Sequence, residues 1–146
     1  MKRYIFFFVA ALLAPLSSFA QAKDVTGIVL DKRNAIYWQD NQAIVQNELS
    51  RPEAVAYCNK LVLDSFDDWR LPTLKESYTI VDLTRDRPAL KKGFEIRIDE
   101  KFWTSTLFVD HPEKEAWRLS MSYGEAEPYR KSRTYHVRCV RGNPVH

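Results

Sequence analysis

The stretch Asp68-Trp69-Arg70-Leu71-Pro72-Thr73 decides the fold, because it places a tryptophan between opposite charges immediately before a helix start. Thr73 and Glu76 have the spacing of a capping box, in which each side chain satisfies a backbone N–H group at the helix N-terminus. Asp68 or Arg70 is then available to anchor the backbone or a charged partner. We interpret the stretch as a buried structural corner formed by Asp68, Trp69, Arg70, Pro72 and Glu76.

Catalysis is the alternative interpretation of this stretch, since the paired carboxylates of Asp67 and Asp68 are able to support acid–base chemistry. Nothing pairs the three histidines, His111, His136 and His146, with a nucleophile, and metal-ligand spacing is missing. His136 is expected on the outward face of the last strand. We therefore expect a protein that is not an enzyme, with no catalytic residue, no metal site and no cofactor.

Residues 1–22 have the pattern of a secretory signal peptide. Lys2 and Arg3 precede an apolar run, and small residues suited to cleavage follow it. The run is about 11 residues long, whereas a membrane-spanning helix needs roughly 20. An uncleaved anchor is the alternative. We expect cleavage after Ala20 or Ala22, export to the periplasm or the cell exterior, and no membrane span after cleavage.

The remaining chain, residues 23–146, is expected to form a single domain with a core of its own. The whole chain carries 22 basic and 19 acidic side chains, for a formal charge of +3. Loss of the signal peptide lowers this charge to about +1, so the overall balance does not indicate nucleic-acid binding. The basic residues are instead concentrated near the C-terminal end.

Two helices are predicted. The first begins at Ser50-Arg51-Pro52-Glu53, which fits a capping box with proline in the first turn. A helical face follows at the spacing i, i+3, i+4 and i+7, formed by Ala54, Tyr57, Cys58 and Leu61. The second helix begins at Thr73, and its inward face is expected to comprise Leu74, Tyr78 and Val81.

Short strands are predicted at residues 26–30 and 35–38, and the pattern changes to period two after about residue 100. Candidate strands there cover residues 102–106 and 117–121. In the last strand, residues 135–140, Tyr135, Val137 and Cys139 share one face. We expect that face to point inward.

Cys58 and Cys139 are expected to form a disulfide, because paired cysteines in an exported chain are usually oxidised. The helical spacing around Cys58 and the strand alternation around Cys139 both direct the sulfur toward the core. The closed loop of about 80 residues corresponds to roughly 4 kcal/mol in the chain-entropy model, less any native strain. Two free thiols are the alternative, since structural zinc requires four ligands.

Half a dozen motifs occur in an order and spacing that resemble the Lcl C-terminal domain family, over about residues 26–142. They are Trp38-Gln39-Asp40, Ala56-Tyr57-Cys58, the corner with Glu76, Phe102-Trp103-Thr104-Ser105-Thr106, Ala116-Trp117-Arg118 and Tyr135-His136-Val137-Arg138-Cys139-Val140-Arg141-Gly142. The resemblance implies an α+β, C-type-lectin-like fold with two helices packed on a small, twisted, mostly antiparallel sheet. It also implies a long loop region and a disulfide from the first helix to the last strand.

The founding member of that family is the terminal domain of a collagen-like bacterial adhesin that binds sulfated polysaccharides, so the resemblance implies a binding role. The present chain has four glycines and no Gly-X-Y repeat, so we expect no collagen stalk. Calcium-dependent lectins use Glu-Pro-Asn or Gln-Pro-Asp followed by Trp-Asn-Asp. Here Tyr129 follows Glu127-Pro128 and no Trp-Asn-Asp comes after it, so we expect no lectin-type calcium site.

The best ligand-binding candidates lie in an aromatic and basic segment, treated as a loop: Tyr123, Tyr129, Arg130, Lys131 and Arg133. Arginine and lysine suit sulfate or carboxylate groups, and tyrosine packs against sugar rings or protein partners. An ordinary solvated hairpin is the alternative. The tryptophans Trp38, Trp69, Trp103 and Trp117 are expected in the core.

These observations favour an exported, non-enzymatic recognition or adhesion-type domain, with an anionic polysaccharide or an envelope protein as its partner. The alternative is a structural accessory component of an envelope assembly, such as a pilus or a secretion system. A compact single domain without a stalk or an anchor is compatible with both.

Overall fold

The computed structural model describes residues 27–145, so the predicted signal peptide lies outside the described residues. This part of the chain is α+β. Its helices are α1 (Ala43–Gln46), α2 (Arg51–Lys60) and α3 (Leu74–Thr79). Its strands are β1 (Ile28–Asp31), β2 (Ile36–Gln39), β3 (Glu48–Ser50), β4 (Lys101–Leu107), β5 (Glu115–Ser120), β6 (Glu125–Arg130), β7 (Thr134–His136) and β8 (Val140–Arg141).

The strands of residues 27–145 form two small sheets. One has the order β1-β2-β8, and the other has the order β3-β7-β4-β5-β6. Neighbouring strands are antiparallel except β4 and β7, which pair in parallel at Phe102 and His136. β6 is therefore an edge strand, and Pro128 within it has no N–H group to offer a further strand.

Helix α2 begins where the sequence predicted it. The backbone N–H of Ser50 donates to Oε2 of Glu53 at 2.8 Å, which is half of the predicted capping box. Ala54 and Cys58 are buried, and Tyr57 and Leu61 pack at the edge of the core. The predicted face of this helix is therefore the face that packs inward.

The predicted disulfide between Cys58 and Cys139 is confirmed, with the two Cα atoms 5.6 Å apart and both side chains fully buried. The bond joins α2 to the segment between β7 and β8. That segment is held from its other side by Gln39, whose backbone N–H donates to the Cys139 carbonyl at 2.9 Å. The side-chain Oε1 of Gln39 accepts from the Cys139 N–H at 3.1 Å. The disulfide thus lies where α2 meets the three-stranded sheet.

Helix α3 begins at the predicted cap, but the predicted inward face is wrong for Tyr78, whereas Leu74 and Val81 are partly buried, as expected of an inward face. Tyr78 is 44% exposed, whereas Glu76 is fully buried and Ser77 nearly so. The helix has only six residues, so a few apolar side chains cannot set its orientation. The buried carboxylate of Glu76 sets it instead, because that group must reach Arg70.

The core consists of two clusters. One surrounds the disulfide and contains Trp69, Leu71 and Trp103, and the other lies between the two sheets and contains Trp38, Ile44 and Leu119. Trp38, Trp69 and Trp103 are buried, as predicted. Trp117 is only partly buried, with its ring edge-on to Phe108 at a centroid distance of 5.8 Å.

The single last strand predicted for residues 135–140 is divided into β7 and β8, and both of its faces are covered. The expectation that His136 points outward is therefore wrong: its side chain is buried and its Nδ1 lies 2.8 Å from the Ile44 carbonyl oxygen. Arg138 is buried as well. Alternation still holds for Val137 and Cys139, which face the disulfide cluster.

The long loop predicted by the family resemblance connects α3 to β4 over residues 80–100, where the only regular pairing is a bridge between Val81 and Leu90. A buried ion pair attaches this loop to β2. Arg138 Nη1 donates to Asp40 Oδ1 at 2.9 Å, and Asp40 accepts from the backbone N–H groups of Glu95 at 2.6 Å and Ile96 at 3.0 Å. The loop is thus anchored at its C-terminal part.

Candidate functional site

The polar groups of the corner are directed at partners inside the fold. Arg70 donates to both carboxylate oxygens of Glu76, at 2.8 and 2.7 Å. Glu76 also accepts from the backbone N–H groups of Thr73 at 2.9 Å and Val145 at 3.1 Å. Burial raises the pKa of Glu76, but these hydrogen bonds together hold that pKa below its ordinary value. The carboxylate therefore stays charged and does not act as a proton donor near neutral pH.

The same corner is joined to the last strand. The backbone N–H and carbonyl of Arg70 pair with those of Val140 at 2.8 and 2.9 Å. Asp68 accepts two hydrogen bonds from Arg141, at 2.6 and 3.0 Å, and these bonds lower the pKa of Asp68. The indole N–H of Trp69 donates to the Phe66 carbonyl at 3.1 Å. The stretch therefore connects the start of α3 to β8.

A second arginine, Arg118, which the sequence indicated only as part of the motif Ala116-Trp117-Arg118, holds aromatic residues at the edge of the five-stranded sheet. The guanidinium carbon of Arg118 lies 4.2 Å from the ring centroid of Tyr129 and 4.3 Å from that of Tyr135. Arg118 also forms an ion pair with Glu127. Tyr129, a predicted ligand-binding residue, is therefore a partner in a cation–π stack and offers a ligand only part of its surface.

The predicted basic residues meet at one end of the five-stranded sheet. Arg130 ends β6, Lys131 and Arg133 lie in the turn to β7, and Lys114 immediately precedes β5. We call Lys114, Arg130, Lys131 and Arg133 the basic end. Lys114 was not among the predicted ligand residues, because nothing in its local sequence indicates that the pairing of β5 with β6 brings it here.

The backbone of the basic end is fixed on both sides. The N–H of Lys131 donates to the Lys114 carbonyl at 2.9 Å, and the Lys131 carbonyl accepts from the N–H of Arg51 at the start of α2, also at 2.9 Å. The N–H of Arg133 donates to the Arg130 carbonyl at 3.0 Å, which closes the turn. The side chains thus project from a rigid turn.

Two open grooves lie beside this turn. The larger has a volume of about 630 Å³ and is lined by His111, Glu113, Lys114, Glu115, Arg130, Lys131 and Ser132. The smaller, of about 390 Å³, is lined by Glu115, Pro128, Tyr129, Arg130 and Arg133. Arg130 and Glu115 lie between the two. A ligand that extends through both grooves meets four cationic side chains and two carboxylates.

Three of these cations are available to a ligand. Within residues 27–145, the side chains of Lys114, Arg130 and Arg133 form no hydrogen bond or ion pair, and all three are exposed. Lys131 differs, since its Nζ donates to the Pro112 carbonyl at 2.5 Å. Exposed guanidinium groups bind sulfate and carboxylate in a bidentate manner, so the arrangement suits an anionic ligand.

Tyr123 does not belong to this group. It lies in the turn between β5 and β6, at the opposite end of β6 from Arg130, which places it about 20 Å away along the strand. Its hydroxyl accepts hydrogen bonds from Arg87 Nε at 3.1 Å and Arg87 Nη2 at 3.0 Å. The predicted ligand-binding set is therefore distributed over two separate places on the surface.

Within residues 27–145, no group of three or more His, Cys, Asp and Glu side chains is arranged to hold a metal ion. No helix among these residues has the length and apolar character needed to cross a membrane.

The model of the family described as the Lcl C-terminal domain matches residues 27–141, which include both cysteines, the corner and the basic end. A search of curated proteins finds no match.

Proposed function

The chain belongs to the Lcl C-terminal domain family, and from that premise we propose that it is an exported, non-enzymatic recognition domain whose basic end binds an anionic glycan. The family suggests an adhesin-like domain. The ligand class comes from the surface chemistry of this chain. An anionic segment of an envelope protein is the second ligand that the same chemistry accepts.

The observation that carries this proposal is the set of unpaired cations at the basic end. The side chains of Lys114, Arg130 and Arg133 have no hydrogen-bond or ion-pair partner within residues 27–145, and they flank grooves on a turn whose backbone is fixed. Other arginines of the described chain, such as Arg70, Arg118 and Arg138, are engaged inside the fold. A rigid turn reduces the entropy lost on binding, so its free cations are suited to a polyanion.

We also propose that the fold is C-type-lectin-like, with residues 23–146 as its single domain. Support comes from α2 and α3 packed against small sheets, the long loop anchored through Asp40, and the disulfide from α2 to the chain next to β8. The parallel contact of β4 with β7 brings the C-terminal part of the chain back into the centre of the larger sheet. Structural comparison with lectin domains is the test of this assignment.

The binding proposal is tested with a sulfated polysaccharide as the probe. The variant K114Q/R130Q/R133Q removes the three free cations, and the control K32Q/R33Q/K92Q removes the same number of charges from exposed residues elsewhere. We expect the first variant to lose at least about tenfold in affinity by isothermal titration, while the control stays near the unsubstituted protein. EDTA is expected to change neither result, since no metal ligand is involved.

Two results argue against the proposal. Equal losses in the variant and the control show that only net charge matters, and the absence of binding to any anionic glycan removes the glycan as a ligand. Crosslinking in cells separates the remaining alternatives. A stoichiometric protein partner whose contact survives the loss of the three cations supports a structural accessory component of an envelope assembly, such as a pilus or a secretion system.

A further inference from the structure

A third groove, distant from the basic end, has different chemistry. It lies between α3 and the β5–β6 turn, has a volume of about 660 Å³, and is lined by Tyr78, Lys101, Ser120, Tyr123, Glu125 and Glu127 among others. Tyr78 is 44% exposed and Tyr123 is 50% exposed. We propose that this groove binds an uncharged sugar ring, which stacks on Tyr123. The site rests on the proposed role in glycan recognition and extends that role to a second, neutral subsite.

Hydrogen bonds hold the side chain of Tyr123 in place, although the residue is 50% exposed. Arg87 donates two hydrogen bonds to its hydroxyl, and Arg87 also forms an ion pair with Asp99 at 3.5 Å. Asp99 in turn accepts from the Ser122 hydroxyl at 2.6 Å, and the N–H of Arg87 donates to the Ser122 carbonyl at 2.9 Å. A fixed aromatic surface binds a flat apolar group with little loss of side-chain entropy.

The polar residues of the groove form a row across the sheet. Lys101 pairs with Ser120, and Ser120 pairs with Glu125, so the three side chains lie on one face of β4, β5 and β6. Neighbouring strands are about 4.8 Å apart, which gives a row about 10 Å long. It offers an ammonium donor, a hydroxyl and a carboxylate acceptor. A sugar ring has an apolar C–H face for the tyrosine and hydroxyl groups for such a row.

The charge of the groove favours an uncharged ligand. Lys101 and Glu125 form no ion pair within residues 27–145 and offset each other, and the charge of Glu127 is balanced by Arg118. The basic end, with its three free cations, contrasts with this balance. A sulfated or carboxylated sugar therefore gains nothing from the groove beyond what a neutral sugar gains.

The test is a ¹H–¹⁵N NMR titration of the purified protein with cellotetraose, chitotetraose and mannotetraose. We expect at least one of them to shift the amide signals of residues 120–125, Tyr78 and Lys101. Tyr123→Ala and Glu125→Ala should each weaken that tetrasaccharide at least about tenfold. Glu125 is an exposed strand residue, so Glu125→Ala still tests the proposal if Tyr123→Ala fails to fold. Val109→Ala, which removes an exposed apolar side chain at the far end of the β4–β5 hairpin, should leave affinity unchanged.

The proposal is overturned if none of the three tetrasaccharides shifts these signals. It is also overturned if the shifts map to another surface, or if Glu125→Ala binds as well as the unsubstituted protein. Failure here is distinct from failure at the basic end. Tyr123→Ala should still bind the sulfated polysaccharide, and K114Q/R130Q/R133Q should still bind the neutral tetrasaccharide.

Discussion

Replacing Glu76 tests the structural corner most sharply, because this fully buried carboxylate joins three parts of the chain. Arg70 donates to it twice, and the backbone N–H groups of Thr73 and Val145 donate at 2.9 and 3.1 Å. Glu76→Ala leaves these donors and the Arg70 charge without their acceptor. Removing one member of a buried ion pair costs about 3–5 kcal/mol. We expect about 3 kcal/mol, the lower end, because 27% of the Arg70 side chain is exposed.

The assay is urea denaturation at neutral pH with the disulfide intact, followed by tryptophan fluorescence. Glu53→Ala is the matched control, since Glu53 occupies the same capping-box position in α2 but is exposed. The control removes the cap alone and should lose clearly less stability than Glu76→Ala. Equal losses, or a loss below about 1 kcal/mol for Glu76→Ala, refute the claim that the corner depends on this buried pair.

Three further predictions concern the stability of the scaffold. The folded-state pKa of Glu76 is lowered, so the ionised carboxylate stabilises the fold above the ordinary pKa of 4.5, and this stabilisation is lost as pH falls through the folded-state pKa. The urea midpoint should therefore fall less steeply below pH 4.5 in Glu76→Gln than in the unsubstituted protein. Replacing Cys58 and Cys139 together by alanine should lower the free energy of unfolding by about 2–5 kcal/mol in the same urea assay, and an unchanged midpoint contradicts this. Asp40→Ala should accelerate amide hydrogen exchange more at residues 95 and 96 than in the rest of the protein, because their N–H groups lose their acceptor and Arg138 loses its ion-pair partner. Uniform acceleration across the chain argues against a locally anchored loop.

The features that the sequence predicted well depend on local signals. The starts of α2 and α3 follow from Ser50 and Thr73, because a capping box involves only neighbouring residues. The positions of β4 and β5 follow from the local sequence pattern of each strand. The disulfide follows from two local periodicities that direct Cys58 and Cys139 to the same interior.

The features that the sequence did not predict depend on contacts between distant parts of the chain. Tyr78 was expected inside and His136 outside, but the pair Arg70–Glu76 rotates α3, and α1 covers His136. β6 was treated as loop, because Pro128 and its glutamates are unusual in a strand and become compatible only at a sheet edge.

In the candidate site, too, the sequence predicted what depends on neighbouring residues and missed what depends on strand pairing. The sequence identified Arg130, Lys131 and Arg133 as neighbours because they lie within four consecutive positions, at the end of β6 and in the turn that follows it. Only strand pairing shows that Lys114 joins them and that Tyr123 lies at the other end of β6. Residue types therefore suggested the class of ligand that we propose, whereas the topology decided which residues share a groove.

The measurement that most directly tests recognition through the basic end is the salt dependence of sulfated-polysaccharide binding by the unsubstituted protein and by K114Q/R130Q/R133Q. Exposed cations that bind a polyanion are screened by salt. We expect the affinity of the unsubstituted protein to fall steeply between about 0.05 and 0.3 M salt, and the variant to bind weakly with a much flatter dependence. Equal affinities, or a dependence on salt that is flat in both proteins, would contradict binding of an anionic glycan at this site.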